Sequence, residues 1–329
     1  MKYSVIIPVY NSESYILKTL KSIKEQSFKD FEIVIINDGS TDKSEDVILK
    51  FKKDNPDINL FYKKINNSGP STARNIGLKE AKGDFVCFLD SDDQYDIHLF
   101  EELNPLIDEE TDVIYFGWVD KKENGEEISH YDKELGFKFI DNLSGNEAVK
   151  KKYLKEIWLC NCNEIYRREM LNKNDLSYLP GVFAGEDMNF IYKALMNSRK
   201  VRVLNKNYFY CTLRESSLMH HSFSNKHLTE FVAINDLLDY SKNNEEVYPY
   251  IYSLSYYTQI TVAKKIVKSL GFWHPFKFRK LVKINIPKVK KIKGMILNKK
   301  QKLECTFYRF SKVLFFYFVK LYFGITKKA

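Results

Sequence analysis

The sequence predicts an α/β fold: a Rossmann-like, mostly parallel sheet with helices on both faces, followed by a helical, basic C-terminal extension. Three observations carry this. Apolar β-branched runs alternate with amphipathic stretches through the first 95 residues. Polar clusters follow those runs and gather at one end of the predicted sheet. Charge is divided along the chain. The 66 residues from Lys264 onward hold 19 basic residues and a single acid, Glu304, while the first 263 are net −9 within an overall charge of +9.

In order, Ser4–Val9 is a short buried strand, and Ile16, Leu17, Leu20 and Ile23 form one face of a helix after the cap residues Asn11 and Ser12. Phe31–Ile36 is a second strand, closed by Asn37-Asp38-Gly39-Ser40; Thr41 caps a helix carrying Val47, Ile48 and Phe51. Asn59–Tyr62 suits a third strand. Ser71 caps a helix with Ala73, Gly77, Leu78 and Ala81 on one face, ended by Gly83, and Phe85–Leu89 is a fourth strand. Lys121–Glu127 is a polar turn, residues 145–170 are helical in places around Trp158 and Arg167-Arg168, and residues 226–270 are helical with Phe231, Ile234, Leu237, Leu238 and Tyr240 on a packed face. The expected domains are 1–222 (in two halves, 1–95 and 96–222), a helical region 223–287 and a basic tail 288–329.

Composition excludes several classes. A chain of 329 residues with 44% hydrophobic content builds a sizeable core, and 13 glycines and 8 prolines exclude collagen-like or low-complexity chains. Five cysteines without a Cys-x-x-Cys pair indicate neither a disulfide framework nor a zinc site. With no signal-type N-terminus and no apolar run of about 18 residues, the expectation is a cytoplasmic protein. There is no Walker-type phosphate loop and no Gly-x-Gly-x-x-Gly.

The chemistry sits at the strand ends. Asp90-Ser91-Asp92-Asp93 crowds three carboxylates at a strand tip, where a hard cation would relieve their repulsion; a solvated turn would carry the same residues. Tyr10-Asn11 offers a ring for a base to stack on, and Asp38 an acceptor for a base edge, although each also suits ordinary packing or a turn. Gly69–Asn75 opens a helix with backbone N–H groups and the cation of Arg74, an anion-binding arrangement or simply a helix start. Glu186-Asp187 is either a general base or two acids favoured by a helix dipole. Arg214–His221 supplies a cation, hydroxyls and imidazoles for phosphate or metal, or a solvated loop.

Taken together, Val5–Asn11, Ile35–Asp42, Gly69–Gly77, Phe88–Asp93 and Glu186-Asp187 occur in the order and at the spacing of the family-2 glycosyltransferases of GT-A fold, which this sequence resembles densely over residues 3–95. The resemblance implies that Pro8, Tyr10, Asn11 and Asp38 hold the nucleotide, and that Arg74 supports the base or diphosphate. It implies that Asp90 and Ser91 contact the donor, that Asp92 with Asp90 holds Mg²⁺ or Mn²⁺, and that Asp187, beside Glu186, is the catalytic base. Arg214 and Ser217 resemble an Arg-x-x-Ser element gripping the diphosphate, with His220 as a further metal ligand. The implied activity is inverting, metal-dependent transfer from a nucleotide-sugar, UDP-linked, to a hydroxyl of a lipid-linked glycan in surface polysaccharide synthesis. The alternatives are a nucleotidyltransferase making nucleotide-sugars, which would want a Gly-rich basic loop where Tyr10–Glu13 stands, and a non-catalytic membrane adaptor.

The tail has its own pattern. Lysines between Lys288 and Lys302 precede an apolar run, and on a continuous helix Arg309, Lys312, Lys320 and Lys327 share a narrow sector with Phe316 and Phe323. This predicts a helix lying in a membrane interface at the inner face of the cell membrane, with the neighbouring lysines drawn to anionic lipids; a helix docked on the catalytic domain with its lysines outward is the alternative. Nucleic acid is not an expected partner, because the body is acidic.

Overall fold

β1 (Tyr3–Val9) is buried along nearly its whole length, as its Val/Ile run requires. It is the centre of the parallel part of the sheet. The chain continues through α1 (Ile16–Lys24), β2 (Phe31–Asn37), α2 (Ser44–Asp54), β3 (Leu60–Lys64), α3 (Pro70–Glu80) and β4 (Phe85–Phe88). β1 pairs in parallel with β2 and β4, with Val9 opposite Asn37 and Ile6 opposite Phe88, and β2 pairs in parallel with β3. This register brings the ends of β1, β2 and β4 to one edge. α3 lies close on the sheet because residue 77 is glycine: a Cβ there would stand 2.3 Å from Ile6 Cγ2. The coordinates are a computed structural model that describes residues 1–214, 224–270, 274–285 and 295–326.

The second half of the sheet is antiparallel and mixed. After β5 (Gln94–Tyr95) and α4 (Leu99–Leu103) come β6 (Thr111–Lys122), β7 (Glu127–His130), α5 (Gly145–Tyr153), β8 (Glu164–Arg167), α6 (Arg168–Lys173), α7 (Glu186–Met196) and β9 (Lys200–Leu213). Among the described residues nine strands form one sheet in the order β3-β2-β1-β4-β8-β6-β9-β5, with β7 on β6. β8 runs antiparallel between β4 and β6, and so joins the two halves. The expected polar turn 121–127 is the tip of the β6–β7 hairpin: Lys121 and Glu127 pair as strand residues, and the turn itself is 123–126.

Several local expectations are corrected. α1, α2 and α3 start after Tyr15, Lys43 and Gly69, none of which makes a side-chain cap, so Asn11, Ser12, Thr41 and Ser71 are not their caps. Asp42 does that work for α2, accepting from the Ser44 N–H at 3.0 Å. α3 ends at Glu80, before Gly83. Trp158 lies outside any helix; the helical pieces of that stretch are α5 and α6.

The chain divides into two compact units, Met1–Gly181 with Glu186–Ser216, and Val182–Gly185 with Ser217–Ala329. The second holds α8 (Glu230–Ser241), α9 (Tyr248–Ser269), α10 (Pro275–Asn285), α11 (Lys299–Phe310) and α12 (Lys312–Thr326). No helix among the described residues is long and apolar enough to cross a membrane.

The continuous tail helix is also corrected. Ser311 is extended and separates α11 from α12, so Arg309 belongs to a different helix from Lys312 and Lys320. The two lysines turn inward. Lys312 donates to the Tyr308 carbonyl at 2.6 Å and Lys320 donates to the Leu270 carbonyl. Phe315, Phe316 and Val319 are buried beside them. Burial pushes the Lys312 ammonium down to about 8. The residues 288–293 and Lys327 lie outside the described residues.

Candidate active site

Three strand ends and two helix starts of the first unit supply the site. Pro8 is within β1, and Tyr10 follows the strand with half its surface exposed, its ring available to a flat ligand. Asn11 adopts a left-handed backbone (φ 49°), and its side-chain oxygen accepts from the Thr41 N–H at 2.9 Å, tying the end of β1 to the loop after β2. At the end of β2, Asp38 is buried and accepts from the backbone N–H groups of Ser68 (2.7 Å) and Gly69 (2.9 Å). These charge-assisted bonds, worth about 1.5–3 kcal/mol each, fix the loop that leads into α3. Gly39 is required next to it: its φ is 74°, and a Cβ would meet Asn67 N at 2.8 Å. Gly39 and residues 64–67 line an open depression of about 680 Å³.

Arg74, on the second turn of α3, is the centre of the site. Its guanidinium is almost wholly buried and meets Asp90 Oδ1 at 2.9 Å, Asp187 Oδ1 at 3.3 Å and Glu186 Oε1 at 3.9 Å. One cation therefore joins the tip of β4 to the start of α7. Burial alone would lower the Arg74 pKa, but Asp187 and Asp90 reverse that and raise it. The acids carry the cost. Burial, and then the charge of Asp187, push Glu186 up to about 7. Asp187 is raised as well, by burial against the pull of Arg74, yet 41% of its side chain stays exposed, so its carboxylate remains open to an incoming hydroxyl.

The other carboxylates of the tip have different partners. Asp92 is bound by Arg214 Nη2 at 2.6 Å, and Arg214 lies over the Tyr15 ring. Burial and the Asp90 charge lift Asp92 to about 6. Asp93 is buried and accepts from the Thr212 N–H at 2.8 Å; burial and its acidic neighbours hold its pKa well up. Ser91 faces inward. Its hydroxyl shares a 2.6 Å hydrogen bond with Ser12, which holds the carboxylate loop against the turn after β1, so its side chain is a brace within the protein. Ser217 and His220 lie outside the described residues.

The donor set fits a hard divalent cation through its carboxylates. Asp90, Asp93 and Cys162 place ligand atoms within 4.8 Å of one another, but burial keeps the Cys162 thiol protonated and a poor partner for a hard ion. Asp90 is half-exposed, whereas Asp92 stands outside that group and is ion-paired to Arg214, which would have to move for Asp92 to join as a ligand.

Residues that sequence reasoning did not find support this arrangement. With its amide oriented to satisfy its neighbours, Asn161 accepts from Arg74 Nε at 3.0 Å and Nη2 at 3.2 Å and donates to the Tyr178 hydroxyl. Tyr178 lies under the Arg74 guanidinium (5.3 Å) and stacks on Phe190 of α7 (4.2 Å, 7°). Asn75 holds the Tyr178 backbone through two 2.8 Å hydrogen bonds. A short stack thus connects α3 to the helix that carries Asp187. Asn75, next to Arg74, was visible in the sequence; its partner, 103 residues away, has no local signal.

Comparisons with known proteins give the family and the fold. The model of "Glycosyl transferase family 2" matches residues 4–174. The poly(ribitol-phosphate) β-N-acetylglucosaminyltransferase TarS of Staphylococcus aureus is 31% identical over 233 residues, covering 67% of this chain and 37% of TarS. A poly(ribitol-phosphate) β-glucosyltransferase of Bacillus spizizenii is 28% identical over 67% of this chain and 33% of its own length. The chain thus spans about a third of the length of these relatives. In three dimensions the chain is similar to TarS 1–349 in complex with UDP-GlcNAc (TM-score 0.63, 23% identity, 99% of this chain and 92% of that one). It is also similar to the Pyrobaculum calidifontis mannosyltransferase PcManGT in complex with GDP-Man and Mn²⁺ (TM-score 0.57, 14% identity, 97% and 86%). The fold is GT-A. Since the family model covers more than half of the residues, including the strand ends that build the crevice, the chain belongs to glycosyl transferase family 2.

Proposed function

We propose that this chain is an inverting glycosyltransferase that moves a sugar from a UDP-sugar to a hydroxyl of a lipid-linked glycan or polyol-phosphate acceptor during surface polysaccharide synthesis. The carrying observation is the Arg74 bridge, which sets the carboxylate of Asp187 opposite the tip of β4. The exposed Tyr10 ring would stack on the base, and Asp38 precedes Gly39, which lines the depression at the end of β2. Arg74 and Arg214 supply positive charge for a diphosphate. Asp187 accepts the proton of the acceptor hydroxyl, and the oxygen attacks the anomeric carbon from the face opposite the leaving diphosphate. The single displacement inverts the centre, so an α-linked donor gives a β-glycoside. Asp90 and Asp92 would hold Mg²⁺ or Mn²⁺, whose Lewis acidity neutralises charge on the departing nucleoside diphosphate. The names of the relatives, which act on poly(ribitol-phosphate), support an acceptor of that kind. The location is the inner membrane surface, reached through the second unit.

A nucleotide-sugar panel with Mn²⁺ or Mg²⁺ tests the reading. The correct donor raises the melting temperature, because binding to the folded state adds to its stability, and releases UDP slowly without acceptor. A panel in which no donor shifts the melting point or is hydrolysed would overturn it and favour the adaptor.

A further inference from the structure

α12 exposes an uncharged apolar side. With Lys312 and Lys320 turned inward, the outward positions are Leu314 and Leu321, 48% and 57% exposed, with half-buried Tyr317 between them at i+3 of an i, i+3, i+7 stripe. Phe310, just before the helix, is 82% exposed. Two helices packed on α12 expose charge of one sign. α10 exposes Lys277, Arg279, Lys280 and Lys283, and α11 exposes Lys299, Lys300, Lys302 and Arg309. The lone acid between Pro275 and Thr326, Glu304, is buried and paired with Lys264 at 2.6 Å.

We propose that the Leu314–Tyr317–Leu321 face of α12, with Phe310 at its root, docks on an anionic lipid bilayer, its apolar side chains entering the acyl boundary and the α10 and α11 cations meeting the headgroups. This deepens the membrane location given above and rests on it. It differs from the sequence expectation in the cations that meet the headgroups, which are those of α10 and α11 rather than the α12 lysines. A second copy is the less suitable occupant. Two such faces together would set eight exposed cations against eight, whereas anionic headgroups attract each basic residue near the surface.

The test is co-sedimentation of the full chain with phosphatidylcholine vesicles, with and without about 30% phosphatidylglycerol, alongside UDP release in solution. The wild type is expected to pellet with the anionic vesicles. Leu314→Asp/Leu321→Asp should weaken partitioning by about tenfold or more with UDP release unchanged. Lys277→Glu/Lys280→Glu should remove the preference for anionic lipid. The proposal is overturned if the wild type stays in the supernatant, if the Leu314→Asp/Leu321→Asp chain pellets as well as wild type, or if lipid-free protein forms a dimer that those changes abolish. The two readings separate cleanly. Pelleting without UDP release supports the docking face and removes the enzymatic reading; UDP release without pelleting does the reverse.

Discussion

The two units bury opposite charges in opposite surroundings. In the first, one cation, Arg74, faces three acids, Asp90, Glu186 and Asp187. In the second, one acid, Glu304, is met by Lys264 and by the Tyr257 hydroxyl, in a stretch otherwise rich in cations. The first arrangement leaves excess negative charge inside a crevice, with Glu186 and Asp92 lifted to about 7 and about 6. The second neutralises its interior and leaves its excess positive charge outside. The net charge of +9 is accordingly uneven along the chain, −9 over the first 263 residues and +18 over the last 66.

One of the two largest effects should come from removing the cation of the crevice. Arg74→Ala leaves carboxylates crowded together, and because two of them are partly exposed the loss of stability should be about 2–3 kcal/mol, below the range for a fully buried pair. Urea denaturation measures it, and UDP release should fall with it. A wild-type midpoint would show that Arg74 does not hold the two elements together.

A comparable effect depends on pH. Glu164 of β8 is fully buried, with Tyr166 donating to one oxygen and the other without a hydrogen-bond partner among the described residues. Burial pushes its carboxyl up to about 8. Such a group binds its proton more tightly folded than unfolded. Its stabilising contribution is complete below the ordinary pKa of 4.5 and is lost as pH rises through about 8. Glu164→Gln should remove about 2–4 kcal/mol of that pH dependence, seen as a flatter plot of melting temperature between pH 5 and 9. A plot parallel to wild type would mean that Glu164 is ionised throughout.

In the second unit, Glu304→Gln should cost about 1–2 kcal/mol by leaving Lys264 without its counter-charge, with UDP release intact. Loss of UDP release at unchanged stability would contradict the division of labour between the units. The smallest effect concerns the second arginine of the crevice. Arg214 occupies Asp92, so Arg214→Ala should tighten Mn²⁺ binding several-fold without nucleotide, as read by the electron spin resonance of free Mn²⁺. Weaker binding would mean that Asp92 is not a ligand.

The same contrast explains what the sequence revealed. β1, β2 and β4 are buried on both faces and read directly as apolar runs, and the ends of β1, β2 and β4 carry Tyr10, Asp38 and Asp90 within a few residues. β9, by contrast, mixes Arg202, Asn205, Lys206 and Asn207 into its length and pairs with β6 through register shifts, so it has no clean period. β8 is only four residues long and abuts α6, which disguised it as helix. Asn161, Tyr178 and Glu164 owe their roles to contacts across the fold, and Lys312 and Lys320 turned inward because Ser311 breaks a helix that a wheel treats as continuous.

The central claim is that Asp187 removes the acceptor proton while Arg74 and the β4 tip hold the donor. Side-by-side assays of the Asp187→Asn chain, for UDP-sugar binding by thermal shift and for sugar transfer, test it most directly. The account predicts a donor-induced shift close to wild type with transfer reduced by about 10²–10⁴-fold, the range for loss of a general base. Transfer at the wild-type rate, or loss of donor binding in step with transfer, would contradict it.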